Sequence, residues 1–579
     1  MPNMIQNAKD SISQILNAAY QKAAEKGELP AGAALSGTVE IPKDSANGDF
    51  AANHAMAGAK ALHMAPRKIA ETLIANADLA DTWFASVEVA GPGFINFRLA
   101  DRWYADVLQA VTREGADYGR SDIGHGQKVM VEFVSANPTG PMHMGNARGG
   151  VLGDALASVL DRAGYQVWRE FYVNDAGNQI EKFANSIDAR YQQLLLGEEQ
   201  VAFPEDGYHG DDIKDLAKLF YEANGDKYLT VPVAERHQAM ADFGLQRNIP
   251  KMQEDLRRYG IEYDQWFFES ELHESGYVAE SVQKLTDRGY TYEKDGALWL
   301  KTSQILAEQL LKAGKKQEEI DKLELKDDVL RRANGFYTYF AADIAYHRNK
   351  LEKRGFDKVI NVWGADHHGH VARLKGAMDA LGLDGEHRLD IVLMQLVKLT
   401  RNGEVVRMSK RTGKAISLTD LLDEIPVDAA RYFFNSRPES PVEFDLELAI
   451  RQDSENPVYY VQYAHARICT LLSALAAEGH TVPASADAAL LSTPEEKELI
   501  KQLAALPEEI RLAARDYDPS RINRYVTELA ARFHRFYTVC RIKGAESDVQ
   551  AARLLLADCV RRVIAVSLGI IGVTAPEKM

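Results

Sequence analysis

Cysteine is scarce in this chain, and the scarcity limits the kinds of site that it can contain. Only three cysteines occur among 579 residues, at Cys469, Cys540 and Cys559, and no CxxC pair is present. Neither a disulfide framework nor a structural zinc site is therefore predicted, and the pattern is typical of a reducing compartment. The HEXXH metal motif is also missing.

Long hydrophobic runs and targeting segments are missing as well. The apolar run at 563–573 contains Ser567 and is too short to span a bilayer. Residues 1–30 carry Asp10, Glu25 and Glu28 on a helical pattern, which is not typical of a signal or transit peptide. We therefore expect a soluble cytoplasmic protein that does not contact membranes.

Acidic residues outnumber basic ones, 84 to 68, which gives a net charge of −16. This balance argues against a protein that binds any polyanion without regard to sequence, but a local basic face can still bind RNA. At 579 residues the chain is too long for one hydrophobic core, so roughly three to five domains are expected.

The most informative stretch is VMVEFVSANPTGPMHMGNARGG, at 129–150. Its valine-rich start, 129–134, predicts a buried parallel strand, and a loop with two prolines follows. A helical apolar pattern at 151–160 and a second strand at 166–173 complete a βαβ unit. The polar turn therefore lies at the carboxyl end of a strand, where open parallel sheets bind ligands.

The turn itself is suited to an anion. A helix amino terminus favours phosphate, and His143 adds a side-chain donor beside Asn146. Gly145, Gly149 and Gly150 are expected to let a ligand approach the backbone. The Walker A and dinucleotide fingerprints are absent here. On its own, the turn is explained equally well as a capped helix with a chance histidine.

A second element lies far downstream, where RMSKRTG occupies 407–413 after an Asn402-Gly403 hairpin signal. A basic loop in this place can reach over a polyphosphate and neutralise charge on the leaving group. A solvated basic loop is the alternative if the loop is considered alone. Together, HMGN and RMSK resemble the two ATP-binding motifs of class I aminoacyl-tRNA synthetases.

The sequence divides into three regions. Residues 1–110 are predicted to form an α/β accessory domain, and 111–420 a Rossmann-type parallel-sheet domain with an insertion at about 189–327. Within the second region, 337–340 is rich in β-forming residues, and Asp343 is predicted to open a helix. Residues 421–579 are predicted to be an all-α bundle.

Two polar clusters leave alternatives open. GADHHGH at 364–370 follows a predicted strand, and we favour ligand contact there over a zinc site. In the helical region, Tyr459, Tyr463 and Arg467 combine aromatic and basic groups that can stack on unpaired bases. Some of these tyrosines are instead expected to belong to the bundle core.

Seven segments in order resemble arginyl-tRNA synthetases over essentially the whole chain: VEFVSANPTGP, FYVNDAGNQ, RANGFYTYFAADIAYH, VWGADHHGH, RMSKRTG, NPVYYVQYAHARI and GVTAPEKM. The resemblance implies activation of L-arginine by ATP with Mg2+, then transfer to the 2′-hydroxyl of the terminal adenosine of tRNA(Arg). It also implies that activation requires bound tRNA. The implied domains are an amino-terminal tRNA-elbow domain, a Rossmann-type catalytic domain and a helical anticodon-binding domain, in a monomer.

The resemblance also implies residue roles. Arginine would be bound by Glu132, Asn137, Tyr339, Asp343 and His367. ATP would be bound by His143, Gly145, Asn146, Met408, Ser409 and Lys410, and the catalytic residues would be His143, Asn146, Arg407 and Lys410. Tyr459, Tyr463 and Arg467 would bind tRNA. Carboxylates suit arginine because its guanidinium offers five donors in a fixed fork.

Two positions depart from the family pattern. Asn146 stands where a second histidine is more usual, and Arg407 replaces the usual first lysine of the loop. Because Lys410 remains, we expect the activity to survive both changes. The alternatives are a related class I synthetase for another amino acid, an inactive tRNA-binding paralogue, or a small-molecule nucleotidyltransferase. The lack of zinc-binding cysteines argues against the first alternative. The retained motif residues argue against the second, and the large helical region argues against the third.

Overall fold

The computed structural model describes residues 3–33, 35–365, 368–395, 397–406, 416–436 and 442–579, without the side chains of His368 and Val442. Across these residues, no helix is long and apolar enough to cross a membrane.

The first region is a four-stranded antiparallel sheet with helices against it, in the strand order β1-β2-β4-β3. Its elements are α1 (Met4–Glu25), β1 (Val39–Glu40), β2 (Phe50–Ala52), α2 (His54–Leu62), α3 (Pro66–Asn76), β3 (Phe84–Ala90), β4 (Phe94–Leu99) and α4 (Asp101–Glu114). The predicted α/β character of this region is confirmed.

The central region is mixed α/β. It begins with β5 (Lys128–Glu132), α5 (Met144–Arg162), β6 (Gln166–Val173), α6 (Asn178–Leu196), α7 (Asp211–Asn224), α8 (Val233–Arg258), β7 (Gln265–Phe268), α9 (Glu269–Glu274), α10 (Tyr277–Asp287), β8 (Thr291–Lys294), β9 (Ala297–Leu300), α11 (Thr302–Lys312), α12 (Gln317–Asp321) and β10 (Asp328–Arg331). It continues with α13 (Tyr339–Arg348), β11 (Lys358–Gly364), α14 (His368–Ala380), α15 (Gly385–Arg388), β12 (Leu389–Met394), β13 (Val397–Arg401), β14 (Glu404–Val405), α16 (Leu418–Glu424), α17 (Val427–Asn435), β15 (Val442–Asp445) and α18 (Leu446–Ile450).

A five-stranded parallel sheet organises this region, in the order β12-β11-β5-β6-β7. The chain leaves β5 toward β6 on one side, and later returns to place β11 and β12 on the other. Such a reversal of strand order opens a crevice at the carboxyl ends of the central strands. Val129, Met130 and Val131 are fully buried in β5, as the valine-rich run predicted.

Two predictions about this region need correction. Residues 265–268 lie within the predicted insertion, yet they form β7 and pair with β6 in the main sheet. Residues 337–340 do not form a strand, because Thr338 caps α13 and accepts a hydrogen bond from the Ala341 N–H. Asp343 therefore lies inside the helix and does not open it.

From residue 457 onward the chain is helical, with α19 (Pro457–Ala477), α20 (Pro494–Asp516), α21 (Ser520–Val539) and α22 (Ser547–Ile570). The predicted all-α region, 421–579, needs correction at its amino-terminal end, because β15 lies within it and pairs with β13. Fully buried Arg431 on α17 joins the helical region to the parallel-sheet region. Its guanidinium pairs with Asp154 on α5 and donates to the carbonyls of Tyr259 and Ile571, at 3.1 and 3.2 Å. The helix that begins at the predicted phosphate turn is thereby connected to the end of α22.

Candidate active site

A cavity of about 1250 Å³ opens at the carboxyl edge of the sheet, between β5 and β11. Six of the residues predicted to bind arginine or ATP line it: Glu132, Asn137, His143, Asn146, Tyr339 and Asp343. The predicted residues His367, Arg407, Met408, Ser409 and Lys410 lie outside the described part of the chain. The two halves of the sheet thus bring distant sequence segments to one space.

His143 immediately precedes α5 and has an extended backbone. Its N–H donates a hydrogen bond to the Asn146 side-chain oxygen at 2.9 Å, which closes the first turn of the helix. Gly145 is exposed in the same turn, and no atom of the described residues lies within 4 Å of the place a Cβ would take. The open helix terminus and the exposed imidazole form an anion-binding arrangement.

The later glycines of α5 have a different use from the one predicted. Gly149 and Gly150 are buried, and a Cβ on either would lie 3.2 Å from Met394 or 2.8 Å from Ile261. Gly153 is packed more tightly still, since a Cβ there would lie 2.1 Å from Phe133. These glycines let the helix approach its neighbours closely and do not admit a ligand.

The segment at 407–415 lies outside the described residues, but both of its flanks are described. On the carboxyl side, Ser417 forms an antiparallel bridge with His143, and the Leu418 N–H donates to the Met142 carbonyl at 2.9 Å. On the amino side, the Val406 N–H donates to the Leu399 carbonyl at 2.9 Å, next to the β13–β14 hairpin. The chain therefore leaves this segment directly beside the predicted phosphate turn.

The backbone after β5 adopts an unusual conformation. Val134 and Ser135 have φ angles of 70° and 43°, a region that a β-branched residue rarely occupies. The Ser135 hydroxyl donates to Glu132 at 2.8 Å and accepts from the Tyr172 N–H at 3.1 Å. These bonds hold the strained turn and fix the direction of the Glu132 carboxylate.

Three carboxylates surround one buried phenol at the bottom of the cavity. Glu132 and Glu269 are only 5% and 3% exposed, and the Tyr172 hydroxyl donates to Glu269 at 2.9 Å. Burial and the charges of Glu269, Asp343 and Glu132 raise the pKa of Tyr172 well above its usual value. A cationic ligand would relieve this concentration of negative charge.

Glu269 was not predicted as a site residue. It follows the short aromatic strand β7 and lines the cavity with Glu132 and Asp343. The signal that could have identified Glu269 is its position directly after the aromatic segment QWFF, 265–268. This segment lies within the predicted insertion, where no strand of the main sheet is expected. Asp175, which follows β6 at the same edge of the sheet, accepts hydrogen bonds from the Ser270 N–H and hydroxyl at 2.9 and 2.7 Å.

Asp343 and Tyr339 lie on the first turns of α13 and are partly exposed to the cavity. The Asp343 carboxylate lies 2.8 Å from the His370 Nε2 atom, so a histidine on the first turn of α14 contacts it. Partial burial raises the pKa of the Tyr339 hydroxyl. Helix α13 therefore presents a carboxylate and a phenol to the same space as β5.

A separate surface on the helical region carries the predicted RNA-contacting residues. The rings of Tyr459 and Tyr463 are stacked at 6.1 Å with an angle of 8° between their planes. The Arg467 guanidinium lies over Tyr463 at 5.5 Å and over Tyr537 at 4.4 Å. Tyr463 also stacks on His534 at 6.1 Å. Aromatic and cationic groups thus share one partly exposed face.

Three family models match the chain in succession. Residues 6–99 match the arginyl tRNA synthetase N terminal domain, and 107–440 match the catalytic domain of tRNA synthetases class I (R). Residues 461–579 match the DALR anticodon binding domain. The catalytic model alone accounts for more than half of the chain.

Curated relatives match over their full length. The chain is 52% identical to the arginine–tRNA ligase of Acetivibrio thermocellus and 54% identical to that of Caldanaerobacter subterraneus subsp. tengcongensis, with 100% of both chains covered in each case. A match of this extent argues against both a synthetase for another amino acid and a small-molecule nucleotidyltransferase.

Solved structures share the fold. The arginyl-tRNA synthetase of Thermus thermophilus superposes with a TM-score of 0.72 at 21% identity, covering 99% of this chain and 100% of that one. The enzyme from Plasmodium falciparum gives a TM-score of 0.68 at 17% identity, covering 99% of each chain. With the sheet-edge cavity and the full-length relatives, these findings place the chain in the arginyl-tRNA synthetase family of class I ligases.

Proposed function

We propose that the cavity at the carboxyl edge of the sheet is where this ligase joins arginine to ATP and passes the arginyl group to tRNA(Arg). The proposal depends on one observation above all. The open first turn of α5, Ser417 just after the 407–415 segment, and the carboxylates of Glu132, Glu269 and Asp343 all border the same cavity. A triphosphate and a cationic side chain can therefore lie side by side.

The acidic end of the cavity is assigned to arginine. Glu132 and Asp343, with Glu269, would neutralise the guanidinium and accept its hydrogen bonds. Asn137 would bind the amino or carboxylate end of the substrate, and Tyr339 would cover it. His367 stays a predicted contact. Lysine would be rejected, because one ammonium cannot satisfy carboxylates arranged for a planar five-donor group.

The opposite end is assigned to ATP, which enters as its magnesium complex. His143, Gly145 and Asn146 would bind the phosphates at the helix terminus. Arg407 and Lys410 of the RMSK loop would neutralise the polyphosphate, and Met408 and Ser409 would contact ATP beside them. Because Lys410 provides the retained charge, Lys410→Ala should slow adenylate formation while leaving tRNA affinity nearly unchanged.

The chemistry needs alignment more than covalent catalysis. The arginine carboxylate attacks the α-phosphate in line, pyrophosphate leaves, and a mixed anhydride with AMP forms. The 2′-hydroxyl of the terminal adenosine then attacks the arginyl carbonyl and AMP leaves. Donors and cations around the phosphates stabilise charge that develops on the leaving groups.

The remaining regions are assigned to tRNA. The amino-terminal domain, predicted at 1–110, would meet the tRNA elbow, and the helical domain, 421–579, would bind the anticodon through Tyr459, Tyr463 and Arg467. We also propose a monomer. A cytoplasmic location is supported by the cysteines, which are all unpaired.

The test is arginine-dependent exchange of pyrophosphate into ATP, measured with and without tRNA(Arg). We expect exchange only when cognate tRNA is present, because the resemblance implies that bound tRNA completes the site. Rapid exchange without RNA would contradict the tRNA requirement. Exchange that depends on a different amino acid would contradict the assignment of the pocket.

A further inference from the structure

Lys350 is the most deeply buried cation beneath the cavity. It is 0% exposed and lies in a π-helical turn, Asn349–Lys353, that follows α13. Its ammonium forms an ion pair with Glu132, donates to the Asn361 side-chain oxygen at 3.3 Å and lies 3.9 Å from the ring centre of Tyr346. Such wide turns are found often at functional sites, where they redirect a side chain.

The contacts of Lys350 extend through two more side chains to the backbone of Asp343, another residue predicted to bind arginine. The Asn361 amide lies 2.6 Å from the His347 Nε2 atom, and His347 Nδ1 lies 2.8 Å from the Asp343 carbonyl. Burial lowers the pKa of His347 well below its usual value, so the ring is neutral. Its Nδ1–H then donates to Asp343, and its Nε2 accepts from Asn361. One buried chain of hydrogen bonds thus links Lys350 to the backbone of Asp343.

A second ion pair completes this layer. Arg354 donates to Glu170 at 2.7 Å, and the Tyr346 hydroxyl donates to the same carboxylate at 2.6 Å. Glu170 is fully buried. Lys350 and Arg354 therefore pair with the carboxylates of Glu132 and Glu170 beneath the cavity. Lys350 is not among the described residues that line the cavity. Its partner Glu132 does line the cavity.

We propose that Lys350 is a positioning residue that holds Glu132 in place and aims its carboxylate at the arginine substrate. The proposal rests on the proposed role of Glu132 in binding arginine. The physical reason is that a carboxylate in this buried position loses the hydration that would stabilise its charge. The ammonium replaces that hydration and occupies one carboxylate oxygen, while Ser135 occupies the other. Each oxygen retains a second lone pair for the substrate.

The test compares Lys350→Met with Lys350→Arg in steady-state charging. Without the ammonium, the Glu132 carboxylate loses a hydrogen-bond partner in a buried position and is no longer held toward the substrate. The KM for arginine of Lys350→Met should therefore rise about tenfold, whereas its KM for ATP should change little. Lys350→Arg keeps the charge and should restore the KM for arginine.

Arg553→Met serves as the matched control, because Arg553 pairs with fully buried Glu496 at 2.6 Å in the helical domain. That variant loses a buried ion pair far from the cavity and should leave the KM for arginine unchanged.

Two more variants keep the outcomes distinct. Glu132→Gln should itself raise the KM for arginine; if it does not, the proposed role of Glu132 is wrong and the inference about Lys350 falls with it. If Glu132→Gln has the effect but Lys350→Met does not, only the inference is overturned. The double variant leaves no buried charge unpaired and should match Glu132→Gln alone. A further increase in the double variant would show that Lys350 acts independently of Glu132.

Discussion

The cavity at the sheet edge and the aromatic face of the helical domain are two polar surfaces built in opposite ways. In the cavity, Glu132 and Glu269 are almost fully buried, and their oxygens accept hydrogen bonds from Ser135 in the turn after β5 and from Tyr172 on β6, respectively. On the helical face, Tyr463 is 39% exposed and is positioned by ring contacts with residues of α19 and α21. The cavity carboxylates are held by buried neighbours, whereas the aromatic face of the helical domain is open to solvent.

The difference reflects what each surface would bind. A buried charge is costly unless it is paired, so the cavity depends on partners placed before the ligand arrives. Such an arrangement suits a small cation with one fixed geometry. Stacking on a base needs only an accessible ring, because every base has a flat face. The contrast predicts that substitutions in the cavity affect chemistry, whereas substitutions on the helical face affect RNA affinity.

The largest effect is expected at the phosphate turn. His143→Ala removes an exposed donor next to the α5 terminus and should lower kcat/KM for ATP about 100-fold. The Kd for tRNA(Arg) should stay within a factor of about two of wild type. His480→Ala, an exposed histidine of the helical domain, is the control and should change neither value. If His143→Ala weakens tRNA binding as much as ATP use, the two surfaces are not separate.

On the helical face, the expected effect is smaller and falls on tRNA binding, not on the use of ATP. Tyr463→Ala removes one stacking ring and should weaken tRNA(Arg) binding about tenfold in a filter-binding or fluorescence titration. Arginine and ATP KM values measured at saturating tRNA should be unchanged. Tyr221→Ala is closely matched, because Tyr221 is 41% exposed on α7, and it should leave tRNA affinity unchanged. Equal losses in both variants would argue against a specific role for Tyr463.

The smallest expected effect concerns packing beneath the cavity. Gly153→Ala places a methyl group against Phe133, and overpacking of this kind costs about 1–3 kcal/mol. Scanning calorimetry should show a lower midpoint for the catalytic domain. Gly569→Ala is the control, since no described atom lies within 4 Å of its added methyl group. An unchanged midpoint for Gly153→Ala would mean that α5 can shift without loss.

The parts of the site that could be predicted from the sequence are those encoded locally. The strand β5, its polar turn and α5 follow one another directly, so hydrophobic periodicity and turn residues identified them together. His143 was placed at the helix terminus for the same reason. The tyrosines of α19 were likewise recognisable, because aromatic residues at helical spacing form one face.

The parts that could not be predicted depend on long-range burial. Lys350 pairs with Glu132 across most of the catalytic domain, and no local pattern marks a lysine that becomes fully buried. Glu269 was missed because β7 has only four residues, too few for a periodic signal within a charged interval. The start of α13 was placed wrongly because aromatic residues favoured a strand, whereas the Thr338 cap decided the structure.

The most direct test of the cavity assignment is the ratio of Kd values for arginine and citrulline, whose ureido group lacks the positive charge of the guanidinium. Both would be measured by calorimetry with tRNA(Arg) bound, for wild type and for Asp343→Asn. The account predicts that wild type prefers arginine by on the order of a thousandfold and that Asp343→Asn loses most of this preference. An unchanged preference in Asp343→Asn would contradict the assignment of this acidic cavity to the guanidinium.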